Sequence, residues 1–202
     1  KVTYSSDTTA AVPGANLTVT RNSLAATGNS THGYFGGGAP SPYYSTMEKV
    51  TYSSDTTAAV PGANLTVARQ SLAATGNSDA GYFGGGFPTT SLMDKVTYSS
   101  DTTAAVPGAN LTVARQALAA TGNSTHGYFG GGNPGSRLTM DKVTYSSDTT
   151  AAVPGADLSL GRYGLAATGN STHGYFGGGA FPYRSTMDKV TYSSDTTAAV
   201  PG

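Results

Sequence analysis

The apolar side chains of this sequence alternate with polar ones over short runs and form no long stripe at helical spacing. Val50 and Tyr52 alternate with Lys49 and Thr51, so the two pairs are expected on opposite faces of one strand. Short runs rich in Val, Tyr and Thr and broken by Gly and Pro are typical of strands. The pattern therefore predicts an all-β protein.

The same segments recur along the chain. The segment KVTYSSDTTAAVPG occurs five times without change and begins at Lys1, Lys49, Lys95, Lys142 and Lys189. The segments LAATGN and GYFGGG accompany it four times. A period of 46 to 48 residues falls in the range of propeller blades. Each unit has too few bulky side chains to form a core alone, so neighbouring units must pack on one another.

One period predicts four short strands, namely Leu24–Thr27, Tyr34–Gly37, Lys49–Ser53 and Thr57–Val60. Tyr and Phe at the start of the second strand point to opposite faces, so both faces must be covered by neighbours. The fourth strand stops at Pro61, and proline is tolerated on an edge strand. The fourth strand is therefore predicted to be outermost.

Two tight turns join these strands in pairs. Gly28 and Asn29 suit the positive φ angles of the first turn. In the second turn, Asp55 is expected to hydrogen-bond its own backbone.

Four antiparallel strands per period predict a β-propeller with four complete blades and an extra outer hairpin. The predicted boundaries are 1–14 for the hairpin and 15–62, 63–108, 109–155 and 156–202 for the complete repeats. A five-bladed ring would need about 235 residues, so a segment of a longer propeller is favoured over a closed four-bladed ring. An open β-solenoid is the alternative.

The repeat resembles the kelch repeat, in which an Arg precedes the innermost strand, a double glycine follows and a spaced Tyr comes later. Arg21, Gly36–Gly37 and Tyr52 occupy these places in the first period. The chain lacks the Trp of the outer kelch strand. The sequence of the repeat is also similar to that of kelch-like repeats in virion structural proteins of tailed phages that infect marine bacteria. That resemblance implies display or attachment on a virion or another extracellular surface, with virion or surface proteins as partners.

Composition excludes several classes of function. The 202 residues include 11 basic and 11 acidic side chains, so there is no charge excess for binding nucleic acid. No apolar run is long enough for a membrane span. Without cysteine, the chain has no disulfide and no thiolate metal site. The first residue is Lys rather than Met, which favours a processed product or part of a longer protein.

The repeats differ mainly in two sets of loops, which an up-and-down sheet places on one face. Loops that vary on a rigid frame are typical of binding surfaces. Aromatic and Arg side chains there suit a host glycan or a protein partner. The predicted ligand contacts are Tyr43, Tyr44, Phe87, Arg137, Phe181, Tyr183 and Arg184. Neutral drift of surface loops is the alternative interpretation.

Catalytic, metal and cofactor sites are not predicted. Every cluster of Asp, His and Ser is multiplied by the repeat, whereas an active site requires one asymmetric constellation. The turn histidines, His32, His126 and His173, are expected to lie too far apart to share an ion.

The arginines before the inner strands are instead predicted to form structural ion pairs between blades. They are Arg21, Arg69, Arg115 and Arg162. Their candidate partners are Glu48, Asp94, Asp141 and Asp188, or the turn aspartates.

The leading functional hypothesis is a non-enzymatic display module that binds through its variable loops. A purely architectural virion protein is the second hypothesis. An enzyme such as a glycan lyase or hydrolase is the third.

Overall fold

The computed structural model describes residues 1–180 and 182–200. Phe181, one of the predicted ligand contacts, lies outside the described residues. The described chain is all-β, and its helical segments are four 3-10 turns of three residues each: Pro13–Ala15, Pro61–Ala63, Pro107–Ala109 and Pro154–Ala156.

A short hairpin precedes four sheets of four strands, and each sheet keeps its strands in chain order. The hairpin consists of β1 (Val2–Thr3) and β2 (Thr8–Thr9). The first sheet contains β3 (Ala25–Gly28), β4 (His32–Gly36), β5 (Met47–Thr51) and β6 (Thr56–Ala59). The second contains β7 (Ala73–Gly76), β8 (Ala80–Gly84), β9 (Met93–Thr97) and β10 (Thr102–Ala105). The third contains β11 (Ala119–Gly122), β12 (His126–Gly130), β13 (Met140–Thr144) and β14 (Thr149–Ala152). The fourth contains β15 (Ala166–Gly169), β16 (His173–Gly177), β17 (Met187–Thr191) and β18 (Thr196–Val200).

All neighbouring strands are antiparallel. In the first sheet Thr27 lies opposite Tyr34, and Tyr34 lies opposite Lys49. The fourth strand is at the outer edge, as the proline after it predicts, and Pro61 begins a 3-10 turn there. The strands begin or end one or two residues away from the predicted positions.

The first strands of successive sheets lie side by side, so that β3 contacts β7, β7 contacts β11 and β11 contacts β15. A ladder of backbone hydrogen bonds follows the same path. Ser71 donates to Ser23, Ala117 to Ser71 and Gly164 to Ala117, each at 2.7 Å. No comparable contact joins β3 to β15 within the described ranges, so these four sheets do not form a closed ring.

The core is divided into layers between adjacent sheets. In the first layer, Tyr34 and Met47 of the first sheet pack on the second repeat's Phe83 and Val96. Tyr34 also stacks on Tyr98, with ring centroids 4.7 Å apart. The next two layers repeat this arrangement. The tyrosine of the second strand therefore faces the following repeat, and the phenylalanine next to it faces the preceding one, as adjacent positions in a strand predict.

The triple glycine permits this packing at the inner end of the second strand. A Cβ atom on Gly36 would lie 2.8 Å from Met47 Sδ and 3.4 Å from Phe83 Cε1. Gly37 has a φ of +74°, and a Cβ atom there would lie 2.6 Å from the Arg69 carbonyl oxygen. L-residues rarely adopt that conformation. The glycines therefore let neighbouring repeats approach closely.

Candidate functional site

The two kinds of loop lie at opposite ends of the strands. At one end lie the two tight turns, which hardly vary between repeats, the exception being Asp79 and Ala80 in place of Thr and His. The turns meet where the Tyr52 backbone N–H donates to the Thr31 carbonyl at 3.0 Å, and we call this end the invariant-turn side. At the other end, Asn22 pairs with Ala39. We call this second end the variable-loop face, which comprises residues 19–22, 39–46, 67–70, 87–92, 113–116, 133–139, 160–163, 180 and 182–186. Sequence differences therefore concentrate on one side of a repeated frame.

Two predicted contact residues meet across neighbouring repeats on the variable-loop face. The rings of Tyr43 and Phe87 lie edge to face, with centroids 5.6 Å apart. Phe87 remains 36% exposed. An aromatic pair that is partly open to solvent can contact the apolar face of a sugar or a partner side chain.

The remaining described contact residues differ in accessibility. Tyr183 is 85% exposed, whereas Tyr44, Arg137 and Arg184 are half-buried. Tyr44 lies against the guanidinium of Arg21, 5.2 Å from Cζ to the ring centroid. Equivalent positions in their repeats are occupied by Tyr44, Arg137 and Arg184. The backbone N–H of each donates to the carbonyl of the third glycine in the triple glycine before it. These three are therefore partly structural, and the accessible surface is dominated by Phe87 and Tyr183.

Buried ion pairs support the base of the variable-loop face. The side chains of Arg115 and Asp141 are fully buried, with Nη2 and Oδ2 2.7 Å apart. Arg115 also donates to the carbonyls of Phe129 at 3.0 Å and Thr139 at 2.9 Å. The last of these contacts holds the end of a variable loop against the sheet. The equivalent pairs are Arg21–Glu48, Arg69–Asp94 and Arg162–Asp188.

These ion pairs differ in one respect from the prediction. Each arginine pairs with the acid of its own repeat, so these side-chain ion pairs do not bridge between repeats. At the arginine position, the contact between repeats is made by the backbone: the Gly38 N–H donates to the carbonyl of Arg69 in the following repeat at 2.9 Å.

The contacts that do bridge repeats through charged groups involve the turn aspartates. Asp101 has a φ of +51°, and its carboxylate accepts hydrogen bonds from Tyr34 and Lys49 of the preceding repeat. Asp55 was expected to bond its own backbone, but its carboxylate accepts a hydrogen bond from Lys1 Nζ at 2.9 Å, so that prediction was wrong. Asp148 and Asp195 accept the equivalent bonds from Tyr82 with Lys95, and from Tyr128 with Lys142.

These contacts shift the pKa values of both partners. Burial opposes ionisation of Asp101, but hydrogen bonds from Lys49 and Tyr34 outweigh it, and the pKa of Asp101 falls below its usual value. Burial, followed by the bond to Asp101, raises the pKa of Tyr34. The pair therefore favours a carboxylate and a neutral phenol at neutral pH.

Acidification should weaken these junctions. Because the folded-state pKa of Asp101 and Asp195 is lowered, their contribution to stability is present above the unfolded-state pKa and is lost as pH falls through the folded-state pKa. We expect Asp101→Asn to flatten the acid side of the stability profile. Urea unfolding at a series of pH values measures this effect. Asp79→Asn, on an exposed turn, is the control, and an unchanged acid dependence in Asp101→Asn would contradict the assignment.

A cleft lies on the invariant-turn side, away from the predicted contacts. It measures about 590 Å³ between the second and third repeats, and its lining includes Asp79, Tyr82, Lys95, His126 and Tyr145. Related clefts lie between the other repeats. Hydroxyl side chains line all three clefts. The clefts were not predicted as sites, because the residues that form them hardly vary from repeat to repeat.

The histidines in these clefts have local partners. Thr125 Oγ1 lies 2.8 Å from His126 Nδ1 and 2.9 Å from Asn123 Oδ1. Because the Thr125 hydroxyl donates to Asn123 Oδ1, it is part of the hydrogen-bonded turn. Burial lowers the pKa of His126. Among residues 1–180 and 182–200, no three metal-ligating side chains come together.

The helical turns within the described ranges are all far too short to cross a bilayer. No protein-family model matches the chain, and no curated protein is similar enough in sequence to be a relative.

Proposed function

We propose that this protein is a non-enzymatic binding module that engages its ligand through the variable-loop face. The observation that carries the proposal is the concentration of sequence differences at one end of four otherwise uniform sheets. A frame held by repeated buried pairs keeps the unlike loops in fixed positions, which is how repeat proteins build extended binding surfaces. Tyr43, Phe87 and Tyr183 supply the accessible aromatic contacts.

The ligand proposed is a host-surface glycan or protein. Aromatic rings stack on the apolar faces of sugars and also anchor protein partners. Arg137 and Arg184 add donors at the edge of the surface. The resemblance to kelch-like repeats of phage virion proteins favours display on a virus particle or cell surface.

The finer architecture proposed is a segment of a kelch-like β-propeller. Four-stranded up-and-down sheets with adjacent first strands support it. A complete ring requires sheets beyond the four described here, because the first and fourth sheets do not meet.

A purely architectural role is the second candidate. The outward faces of the first and fourth sheets carry apolar side chains that are buried at every internal junction. A protein that binds only its neighbours in a particle would use such faces, and its variable loops would have no ligand.

Removing the aromatic contacts should weaken binding. We expect the triple variant Tyr43→Ala, Phe87→Ala and Tyr183→Ala to lose at least about tenfold in affinity, since truncating a central aromatic contact typically costs more than 1 kcal/mol. A glycan array and a host-cell binding assay measure the loss.

The control is Thr125→Ala, which lies on the invariant-turn side. Circular dichroism must show that both proteins keep the parent's fold. Unchanged binding in the triple variant would contradict the proposal that the ligand binds the variable-loop face. Loss of binding in Thr125→Ala alone would instead place the ligand in the clefts.

A further inference from the structure

The fourth sheet ends in a face that is covered in every other repeat. Met187 is 38% exposed, whereas Met47, Met93 and Met140 are fully buried. Ala166 is exposed, although its equivalents Ala25, Ala73 and Ala119 are buried. In the other sheets, the tyrosine and lysine equivalent to Tyr175 and Lys189 bond an aspartate of the following repeat. Within the described ranges, no such aspartate lies beside Tyr175 and Lys189. We call this surface, formed by Ala166, Tyr175, Met187 and Lys189, the leading end.

The first sheet presents the matching half of the same junction. Leu17, Leu24 and Phe35 are half-buried and Tyr52 is 45% exposed. Their equivalents in the second repeat, Leu65, Leu72, Phe83 and Tyr98, are buried against the first sheet. We call this surface, formed by Leu17, Leu24, Phe35, Tyr52 and Asp55, the trailing end. At each of the three internal junctions, the surface equivalent to the leading end packs on the surface of the next repeat that is equivalent to the trailing end.

Backbone groups at the two ends also match. At the first internal junction, the N–H groups of Leu65, Arg69 and Ser71 donate to the preceding repeat at 2.8, 3.2 and 2.7 Å. The equivalent N–H groups of the trailing end belong to Leu17, Arg21 and Ser23, and none of them meets an acceptor within the described ranges. The equivalent acceptors of the leading end are the carbonyls of Ser185, Arg184 and Gly164. Three donors thus lie at one end and three acceptors at the other.

We propose that two molecules of this protein associate head to tail, with the leading end of one packed on the trailing end of the next. A second molecule is the partner that supplies every element of the junction at once. It brings the apolar side chains, the backbone donors and the Asp55 carboxylate for Lys189 and Tyr175. The two surfaces differ, so the contact is heterologous and extends into a ring or a filament.

The amino-terminal hairpin competes with this contact. Residues 1–14 are identical in sequence to residues 189–202, and β1–β2 lies where the outer hairpin of a preceding repeat would lie. Lys1 Nζ bonds Asp55 at 2.9 Å, which is the contact that Lys95 makes with Asp148 at 2.8 Å. A docking molecule must therefore displace the hairpin with its own β17–β18. The hairpin's exposed residues and its two-residue strands indicate that it is weakly held.

Sedimentation velocity at increasing concentrations of the full chain tests the proposal. The parent is expected to form species larger than a monomer. Met187→Glu should weaken association by at least about 100-fold, because a carboxylate would be buried without a partner. At a concentration where the parent is monomeric, the melting temperature of this variant should stay near the parent's, since Met187 packs on no following repeat. Asp79→Lys, on an exposed turn of the second repeat, is the control and should associate like the parent.

A charge exchange identifies the ends that meet. Lys189→Glu and Asp55→Lys should each weaken self-association, whereas an equal mixture of the two variants should restore it in alternating order. Lys1→Glu should strengthen association, since it releases the hairpin from Asp55. The proposal is overturned if the parent stays monomeric at every concentration. It is also overturned if Met187→Glu associates like the parent, or if the mixture of charge variants does not recover.

Discussion

Replacing Asp141 by Ala is expected to destabilise the protein by about 3–5 kcal/mol, the cost of leaving one partner of a buried ion pair uncompensated. Asp141 and Arg115 are both fully buried, so water does not reach the guanidinium that remains. The Asp141 carboxylate also accepts from the Thr112 backbone N–H at 3.1 Å and from its hydroxyl at 2.6 Å. Urea unfolding followed by far-ultraviolet circular dichroism measures the loss.

Two further variants separate the charge from the packing. Asp79→Ala removes an exposed acid and should change stability by no more than about 0.5 kcal/mol, as surface substitutions usually do. The double variant Arg115→Met, Asp141→Leu removes both charges and should recover most of the loss. A cost below about 1 kcal/mol for Asp141→Ala would mean that the remaining arginine is solvated.

Replacing Phe129 by Ala should cost about 3–5 kcal/mol, because the ring fills the layer between the second and third sheets. Phe129 is fully buried and packs with Tyr82 and Met93 of the preceding repeat. The chain offers a matched control at Phe35, which has the same place in its sheet but is half-buried at the trailing end. Phe35→Ala should cost about 1 kcal/mol, since less apolar area leaves water when the native state forms.

Both phenylalanine variants are compared by urea unfolding at a concentration where the protein is monomeric. Equal losses would contradict the view that the trailing end is uncovered. A loss in Phe35→Ala that grows with protein concentration would agree with head-to-tail association, because the second molecule would then bury Phe35.

Much of the fold could be predicted from local patterns. The antiparallel order, the outermost fourth strand and the opposite faces of Tyr34 and Phe35 follow from strand periodicity and from the proline at position 61. Each of these features depends on residues close together in the sequence, so the repeat does not obscure them.

The partners of charged groups could not be predicted in the same way. Every repeat carries an acid at the same place, so a pattern cannot distinguish Asp94 in the repeat of Arg69 from the equivalent Glu48 in the preceding one. The sequence therefore predicted arginine pairs between repeats, whereas the pairs form within each repeat. It also predicted only local bonds for the turn aspartates, whereas Asp101 bonds Tyr34 and Lys49, which are 67 and 52 residues away.

Ring closure could not be predicted from a local pattern either. It depends on the small rotation between adjacent sheets, which is set by side-chain volumes summed over a whole layer. Only the packing of Tyr, Met, Leu and Phe between complete sheets fixes that angle. The clefts on the invariant-turn side were not predicted, because the binding surface was predicted from the positions at which the repeats differ.

The uniform junction has a consequence for how such a protein changes over generations. Each repeat meets its neighbours through the same tyrosine stack and the same lysine–aspartate bridge. A unit can therefore be duplicated or deleted in register without requiring any compensating substitution in the units beside it. Recombination between the nearly identical coding segments would then lengthen, shorten or reorder the row of unlike loops, while the layers that hold the sheets together stay as they are.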